Sequence, residues 1–271
     1  MSASSSSQNA CRSSTRHLIR RLVSTTCRSV SAGVTSAWRV SPRGIANQAR
    51  LAALRGRFGG ERCFILGNGP SLNETDLDRL RDEWLIGTNR IYLHPASGRW
   101  RRWMYCCVNP NVLGQFSAEI DRLECPKFLP WEHRRLVSKT ADVTWLRTRH
   151  EPRFSFQIGD AIWQGATVTY AALQVAFYLG FREVNLLGVD HRFAASGSPN
   201  TLVESSGADR DHFSDAYFGA GVRWQLPDLE QSESAYRLAK HAFEQNGRRI
   251  RNATPGSGLA IFPSVRYDDL F

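Results

Sequence analysis

Arg62-Cys63-Phe64-Ile65-Leu66-Gly67-Asn68-Gly69-Pro70-Ser71-Leu72 is the stretch whose reading decides the fold. An apolar run of strand length feeds straight into a glycine-bracketed turn. A polar, helix-compatible segment, Asn73 to Arg81, follows. Strand, loop and helix in that order open a nucleotide-binding α/β domain. Its glycines let backbone N–H groups approach a phosphate, and the helix N-terminus favours the charge.

The loop departs from the dinucleotide pattern G-x-G-x-x-G/A, because Leu72 stands where a third small residue is needed for close helix–strand packing. The acidic residue that would hold a ribose about 20 positions on is also missing. The next apolar run, Trp84 to Thr88, ends instead at Asn89. An amide both donates and accepts, so the predicted ligand is a mononucleotide rather than NAD.

Further along, short apolar runs alternate with helical patterns. Trp103–Val108 reads as a strand that stops at Asn109-Pro110, and Asn111 is the expected cap of a helix to about Leu123. Lys127–Leu129 and Val143–Leu146 are two more short strands. Gly165-Ala166-Thr167 opens a nearly all-apolar, hence buried, helix that Gly180 ends. Glu183 to Asp190 reads as a central parallel strand ending in a carboxylate. A polar, glycine-containing stretch from Arg192 to Pro227 is predicted to be a lid or binding element. The last amphipathic helix runs from Ser232 to Gln245, and Arg249–Ala253 is a final strand. The order predicts a Rossmann-like α/β domain of three layers with a mostly parallel sheet. Ligands of such sheets bind outside the carboxyl ends of the strands. Asn68, Asn89, Asn109 and Asp190 all fall there, so they form the expected site.

Charge divides the chain sharply. Residues 1–60 hold ten arginines and no Lys, Asp or Glu, so of the 35 basic residues 25 remain beyond them, against 25 acidic ones. The body is therefore neutral, and no nucleic-acid partner is expected. The tail, rich in Ser and Arg, is predicted to be a disordered extension, with 61–271 as the folded domain. Its composition is also that of an organellar transit peptide, were the source eukaryotic, and it leaves open peripheral contact with anionic lipid. No segment approaches the ~20 apolar residues of a membrane span, and the expected location is cytoplasmic. Cys63, Cys106, Cys107 and Cys125 show no metal or disulfide spacing and are expected core thiols, whereas Cys11 and Cys27 lie in the tail.

Gly67-Asn68-Gly69-Pro70-Ser71-Leu72, Thr88-Asn89-Arg90, Val108-Asn109-Pro110, Gly165-Ala166-Thr167 and Gly188-Val189-Asp190 occur in this order. From about Arg62 to the C-terminus the set resembles the MptE-like family, named for archaeal 6-hydroxymethylpterin diphosphokinases. It is also similar to bacterial sialyltransferases that use CMP-sialic acid. The resemblance implies a nucleotide or nucleotide-sugar donor, a glycan or pterin acceptor and, by analogy, surface glycan synthesis. In the sialyltransferase case Asn68, Asn89 and Asn109 would bind the cytidine nucleotide, with Gly69 and Thr167 near its phosphate and sugar. No cofactor is then expected. Those enzymes carry a histidine base in a Tyr-x-Gly-His segment, and here Tyr217-Phe218-Gly219-Ala220 puts alanine in its place. His212 is the expected substitute base, since an imidazole suits removal of a sugar hydroxyl proton, and Tyr217 either donates to the departing phosphate or anchors its loop. The diphosphokinase case would instead need Mg²⁺, for which Asp190, Asp209 and Asp211 are the available carboxylates. A non-catalytic nucleotide-binding module is the third expectation.

Overall fold

A computed structural model describes residues 37–149, 151–194, 197–207 and 209–271. The chain divides into two compact units, Met1–Arg50 and Leu51–Phe271. In the first, the described residues begin helix α1, Pro42–Leu54. The expected disordered tail to residue 60 is thus too long. Phe58, in the second unit, is buried and stacks on Phe181 at 5.0 Å between ring centroids, while Gly56 and Phe58 donate N–H bonds to Tyr178 and Leu179 carbonyls. The tail's Ser run and Cys11 and Cys27 lie outside the described residues.

The second unit is built on seven parallel strands: β1 Arg62–Leu66, β2 Trp84–Thr88, β3 Arg102–Cys106, β4 Lys127–Pro130, β5 Val143–Leu146, β8 Glu183–Leu187 and β11 Arg249–Asn252. Two short accessory ribbons complete the strand set, parallel β6 Thr148–Arg149 with β7 Ile162–Trp163, and antiparallel β9 Leu202–Glu204 with β10 Arg223–Gln225. The sheet order is β11-β8-β1-β2-β3-β4-β5. Parallel strands covered on both faces need apolar side chains in both directions, which is why the sequence runs here are continuous rather than alternating.

Helices α2 Pro110–Arg122, α3 Val168–Leu179 and α4 Leu229–Gln245 join the strands. On one face α3 and α4 bury Leu173, Phe177, Ala235, Ala239 and Phe243 against Ile65, Ile86 and Leu186. The other face holds Phe64, Leu66, Leu85 and Leu187, and its cover is not the expected helix over Asn73–Arg81. Two 3-10 turns, Pro70–Glu74 and Leu77–Leu80, lie there instead, burying Leu72, Leu77 and Leu80. Asp76 stops any longer helix by accepting the Asp78 N–H at 3.1 Å, an Asx turn that competes with helical bonding. The expected cap Asn111 is also displaced: Asn109 caps α2, its Oδ1 taking the N–H groups of Asn111 and Val112, with Pro110 at the first helical position. Thr167 caps α3 and Gly180 closes it at φ 100°.

Chain order runs outward from β1 to β5, then returns to β1's other side with β8 and β11. The direction of winding reverses between β1 and β8, and the crevice above that point is where such sheets hold ligands. At the opposite end, Glu183 accepts hydrogen bonds from Arg249, Arg251 and Asn185. Burial raises its pKa, but the Asn185 amide and the two guanidinium groups outweigh this and hold it below the ordinary value. Its contribution is therefore present above the unfolded carboxylate range and lost as pH falls through the folded pKa. Glu183→Gln is expected to cost about 1–3 kcal/mol at pH 7, chiefly by leaving the Arg251 guanidinium, 26% exposed, without its carboxylate, since Arg249, 66% exposed, stays solvated. The deficit should shrink in urea titrations at progressively lower pH; an equal deficit at all pH values would contradict the assignment.

Among the described residues no helix is long and apolar enough to cross a membrane. Cys63, Cys106, Cys107 and Cys125 are buried free thiols, as expected. Burial pushes Cys107 and Cys125 up to about 12, so neither is a nucleophile at neutral pH.

Candidate functional site

The loops after β1 and β8 are joined across the winding reversal. Gly67 N–H donates to the Leu187 carbonyl at 2.7 Å, and Gly69 N–H to the Gly188 carbonyl at 2.9 Å. A Cβ on Gly67 would stand 2.2 Å from the Gly188 oxygen, so only glycine permits this approach. Gly188 sits at φ 65°, and a Cβ there would meet the Leu72 side chain at 2.6 Å. Leu72 thus takes the room that the missing third glycine would have left, and Gly188 supplies it from the other strand.

Asp190 closes the join. Its carboxylate accepts the Ser71 N–H at 3.1 Å and the Ser71 hydroxyl at 2.8 Å. Burial raises the Asp190 pKa, and the Ser71 bonds only partly offset that. These contacts correct one expectation. The N–H groups of Gly67, Gly69 and Ser71 are already paired, Pro70 has none, and no α-helix follows, so the expected helix N-terminus is missing and these donors are spent within the fold. Gly69→Ala would place Cβ 1.8 Å from Asp190 Oδ2. At φ −70° the backbone tolerates alanine, so the whole cost is the displaced carboxylate. The substitution is expected to destabilise by about 1–3 kcal/mol. In an Asp190→Ala background most of that cost should vanish. Additive losses in thermal unfolding would contradict the contact.

A cavity of ≈ 150 Å³ opens at this point, lined by Asn68, Asn89, Thr167, Asp190, His212 and Tyr217 among others. The Asn68 amide donates to both the Thr88 carbonyl and hydroxyl at 3.1 Å, which fixes its orientation and leaves Oδ1 buried without a partner. Asn89, in the left-handed region at φ 47°, also has an unpartnered Oδ1. Two enclosed acceptors without partners, on residues that line one cavity, are costly. Thr167 lines the same cavity and caps α3: its Oγ1 takes the Thr169 N–H at 3.3 Å and lies 3.3 Å from Tyr236 Oη, at a helix N-terminus whose dipole favours negative charge. Arg192 lines the cavity with no acidic partner among the described residues.

The lid brings the remaining groups. His212 Nδ1 lies 2.7 Å from Asp209 Oδ2, and the same carboxylate accepts the Phe218 N–H at 3.1 Å. That pairing fixes the tautomer and leaves Nε2 free to take a proton. The His212 ring stacks on Tyr217 at 3.9 Å, nearly parallel at 5°. Tyr217 is 1% exposed, and burial holds its phenol well above the ordinary value, so it stays protonated. It also packs edge-on against Phe213 and Phe218 as a loop anchor. Arg90, 6% exposed, donates to the Ala216 carbonyl at 3.0 Å and to the Tyr217 carbonyl, while its guanidinium lies 3.7 Å from the Phe116 ring centroid.

Asn109 does not join the inner cavity. It lines an adjoining one of ≈ 410 Å³ that shares Asn89, Thr167 and His212 with the first. Pro70 and Ser71 support the loop from behind. The carboxylates once assigned to Mg²⁺ do not fit it: Asp190 is held by Ser71, Asp209 by His212, and Asp211 by the Ala194 N–H at 2.6 Å. Among the described residues no group of three His, Cys, Asp or Glu side chains is placed to hold a metal ion. Two contributors escaped the sequence reading. His191 lines the inner cavity at φ 54°, its Nε2 3.4 Å from Glu233 Oε1, with no signal except its place beside Asp190. Arg90, in Thr88-Asn89-Arg90, carries no local signal for its contacts with the lid carbonyls. Comparisons with family models, with curated proteins and with solved structures gave no match for the chain.

Proposed function

We propose that this chain is a nucleotide-dependent transferase, and within that class a glycosyltransferase that takes a CMP-type sugar nucleotide and a glycan acceptor. The observation that carries the reading is the His212–Asp209 pair, 2.7 Å apart, opening onto the cavity that also holds Asn68, Asn89 and Thr167. A base held in one tautomer beside orphaned amide acceptors suits removal of a hydroxyl proton next to a bound nucleotide.

The acceptor hydroxyl gives its proton to His212 Nε2 as its oxygen bonds to the donor's anomeric carbon. The bond from that carbon to the phosphate oxygen breaks, and its electron pair leaves with CMP. Asp209 stabilises the imidazolium that forms. Arg192, Thr167 and the α3 N-terminus receive the leaving phosphate, and Tyr217, protonated at neutral pH, donates to it. Asn68 and Asn89 accept hydrogen bonds from the nucleoside. This route needs no metal, and the making of surface glycans is the pathway it suits.

The test is incubation of the full chain with CMP-N-acetylneuraminate and mixed oligosaccharides, with EDTA and with Mg²⁺, following CMP release. CMP release in EDTA supports sugar transfer. Turnover of ATP and 6-hydroxymethylpterin, only with Mg²⁺, would replace it with pyrophosphate transfer. Nucleotide binding without turnover of any donor would leave a binding module.

A further inference from the structure

The second cavity has its own construction, and it is unlike the first. Gln174, fully buried on α3, spends its whole amide on the ribbon and its approaches: Oε1 accepts the N–H groups of Ser155 and Trp163, and Nε2 donates to the Trp163 carbonyl at 2.8 Å and the Tyr170 carbonyl at 3.2 Å. Glu132 fixes the partner strand by accepting the Thr148 N–H at 3.0 Å. Arg149 and Trp163 are register partners in this parallel ribbon, and both line the cavity. Across from them, Gln115 clamps β10 by exchanging two hydrogen bonds with the Arg223 backbone, at 2.8 and 2.9 Å, which sets Trp224 and Gln225 in the wall. Trp224 stacks on Phe218 at 5.2 Å.

The wall therefore combines two indoles, the carboxamide of Gln164 and the cation of Arg149, with the Gln225 amide loosely engaged by Asn111 and Asn200 at 3.5 and 3.4 Å. Indole faces pack on the C–H face of a sugar ring, and carboxamides pair with its hydroxyls. Among the described residues Arg149 has no acidic partner. The cavity's carboxylate, Asp228, is occupied elsewhere: it accepts the Gln231 N–H at 2.9 Å as the cap of α4 and the Asn200 amide at 3.1 Å. A volume of ≈ 410 Å³ falls within the span of ligand pockets, about 300–1,000 Å³.

We propose that this second cavity is a subsite for an acidic sugar, whose carboxylate or phosphate pairs with the Arg149 guanidinium. It rests on the transfer reading only in making that sugar the acceptor. The shared wall residues Asn89, Thr167 and His212 then bring the acceptor beside the donor.

The test is calorimetry of the full chain with methyl β-glucuronide, methyl β-glucoside and glucose 6-phosphate, with and without CMP. The first two probes differ only at C6, so their ratio reads the charge. The glucuronide or the phosphate is expected to bind about tenfold tighter than the glucoside, the worth of one charge-assisted pair. Arg149→Gln should abolish that preference and Arg149→Lys keep part of it, with unchanged circular dichroism and CMP affinity. Equal affinity for charged and neutral probes, a preference that survives Arg149→Gln, or no binding of any probe at millimolar concentration would overturn the proposal. Failure to bind CMP, with the charge preference intact, would overturn the donor assignment alone.

Discussion

Arg90→Ala is expected to lower stability by about 3–5 kcal/mol, the range for a buried charge removed from its partners. For a domain of this size that is a fall in melting temperature of about 6–20 °C. The cause is specific. The guanidinium, 6% exposed, donates to the carbonyls of Ala216 and Tyr217, lies over the Phe116 ring and approaches Glu119 at 3.4 Å. Alanine leaves two lid carbonyls unpaired and opens a void between β2 and the lid. Arg90→Lys should recover little, because a point charge cannot reproduce a fork that spans two carbonyls and a ring. Loss should concentrate in the lid, so hydrogen exchange of Phe213–Phe218 should quicken more than that of β1 or β8. Uniform quickening, or none, would contradict the role of Arg90 as the lid's anchor.

His212→Ala is expected to lower turnover by about 10²–10⁴-fold, the usual contribution of a positioned base, while nucleotide affinity changes little. Because the His212 ring also stacks on Tyr217 at 3.9 Å, alanine removes packing as well as a base. His212→Phe separates the two: it keeps an aromatic face and removes both nitrogens. It should match His212→Ala in turnover yet exceed it in melting temperature. Added imidazole should restore part of the activity of His212→Ala. Normal turnover in either variant would remove His212 from the chemistry.

Strand positions were legible because β1 to β5 and β8 are largely apolar runs bounded by turn formers, the pattern that burial on both faces of a parallel sheet demands, whereas the edge strand β11, Arg249-Ile250-Arg251-Asn252, alternates. The α3 boundaries were legible too, from Thr167 before the apolar run and Gly180 after it. The segment after Gly69 was not. Leu72, Leu77 and Leu80 are spaced by five and three, which suits two 3-10 turns meeting the sheet, and Asp76 caps the second turn. Asn111 was preferred as a cap over Asn109, although Pro110, favoured at the first helical position, points one residue back.

Within the site, residues at strand ends were found by topology alone: Asn68, Asn89 and Asp190 do meet at the reversal between β1 and β8. What they do there was hidden. The Ser71–Asp190 bonds join residues 119 apart in sequence, and Arg90 reaches Tyr217 across 127, separations at which no local pattern exists. The His212–Asp209 pair, three residues apart, is within reach of local reading, but carboxylates in a polar loop read equally as cation ligands. Each proves to be spent on an N–H or an imidazole.

The central claim is the proposal that Asn68 and Asn89, which line the cavity above β1 and β8, hold a nucleoside there. Isothermal titration of the full chain with CMP in EDTA, repeated on Asn68→Ala, tests it most directly. The account predicts metal-independent binding, weakened by about 1–3 kcal/mol in a variant that still folds. CMP binding that Asn68→Ala leaves unchanged, or no binding of CMP by the unaltered chain, would contradict it.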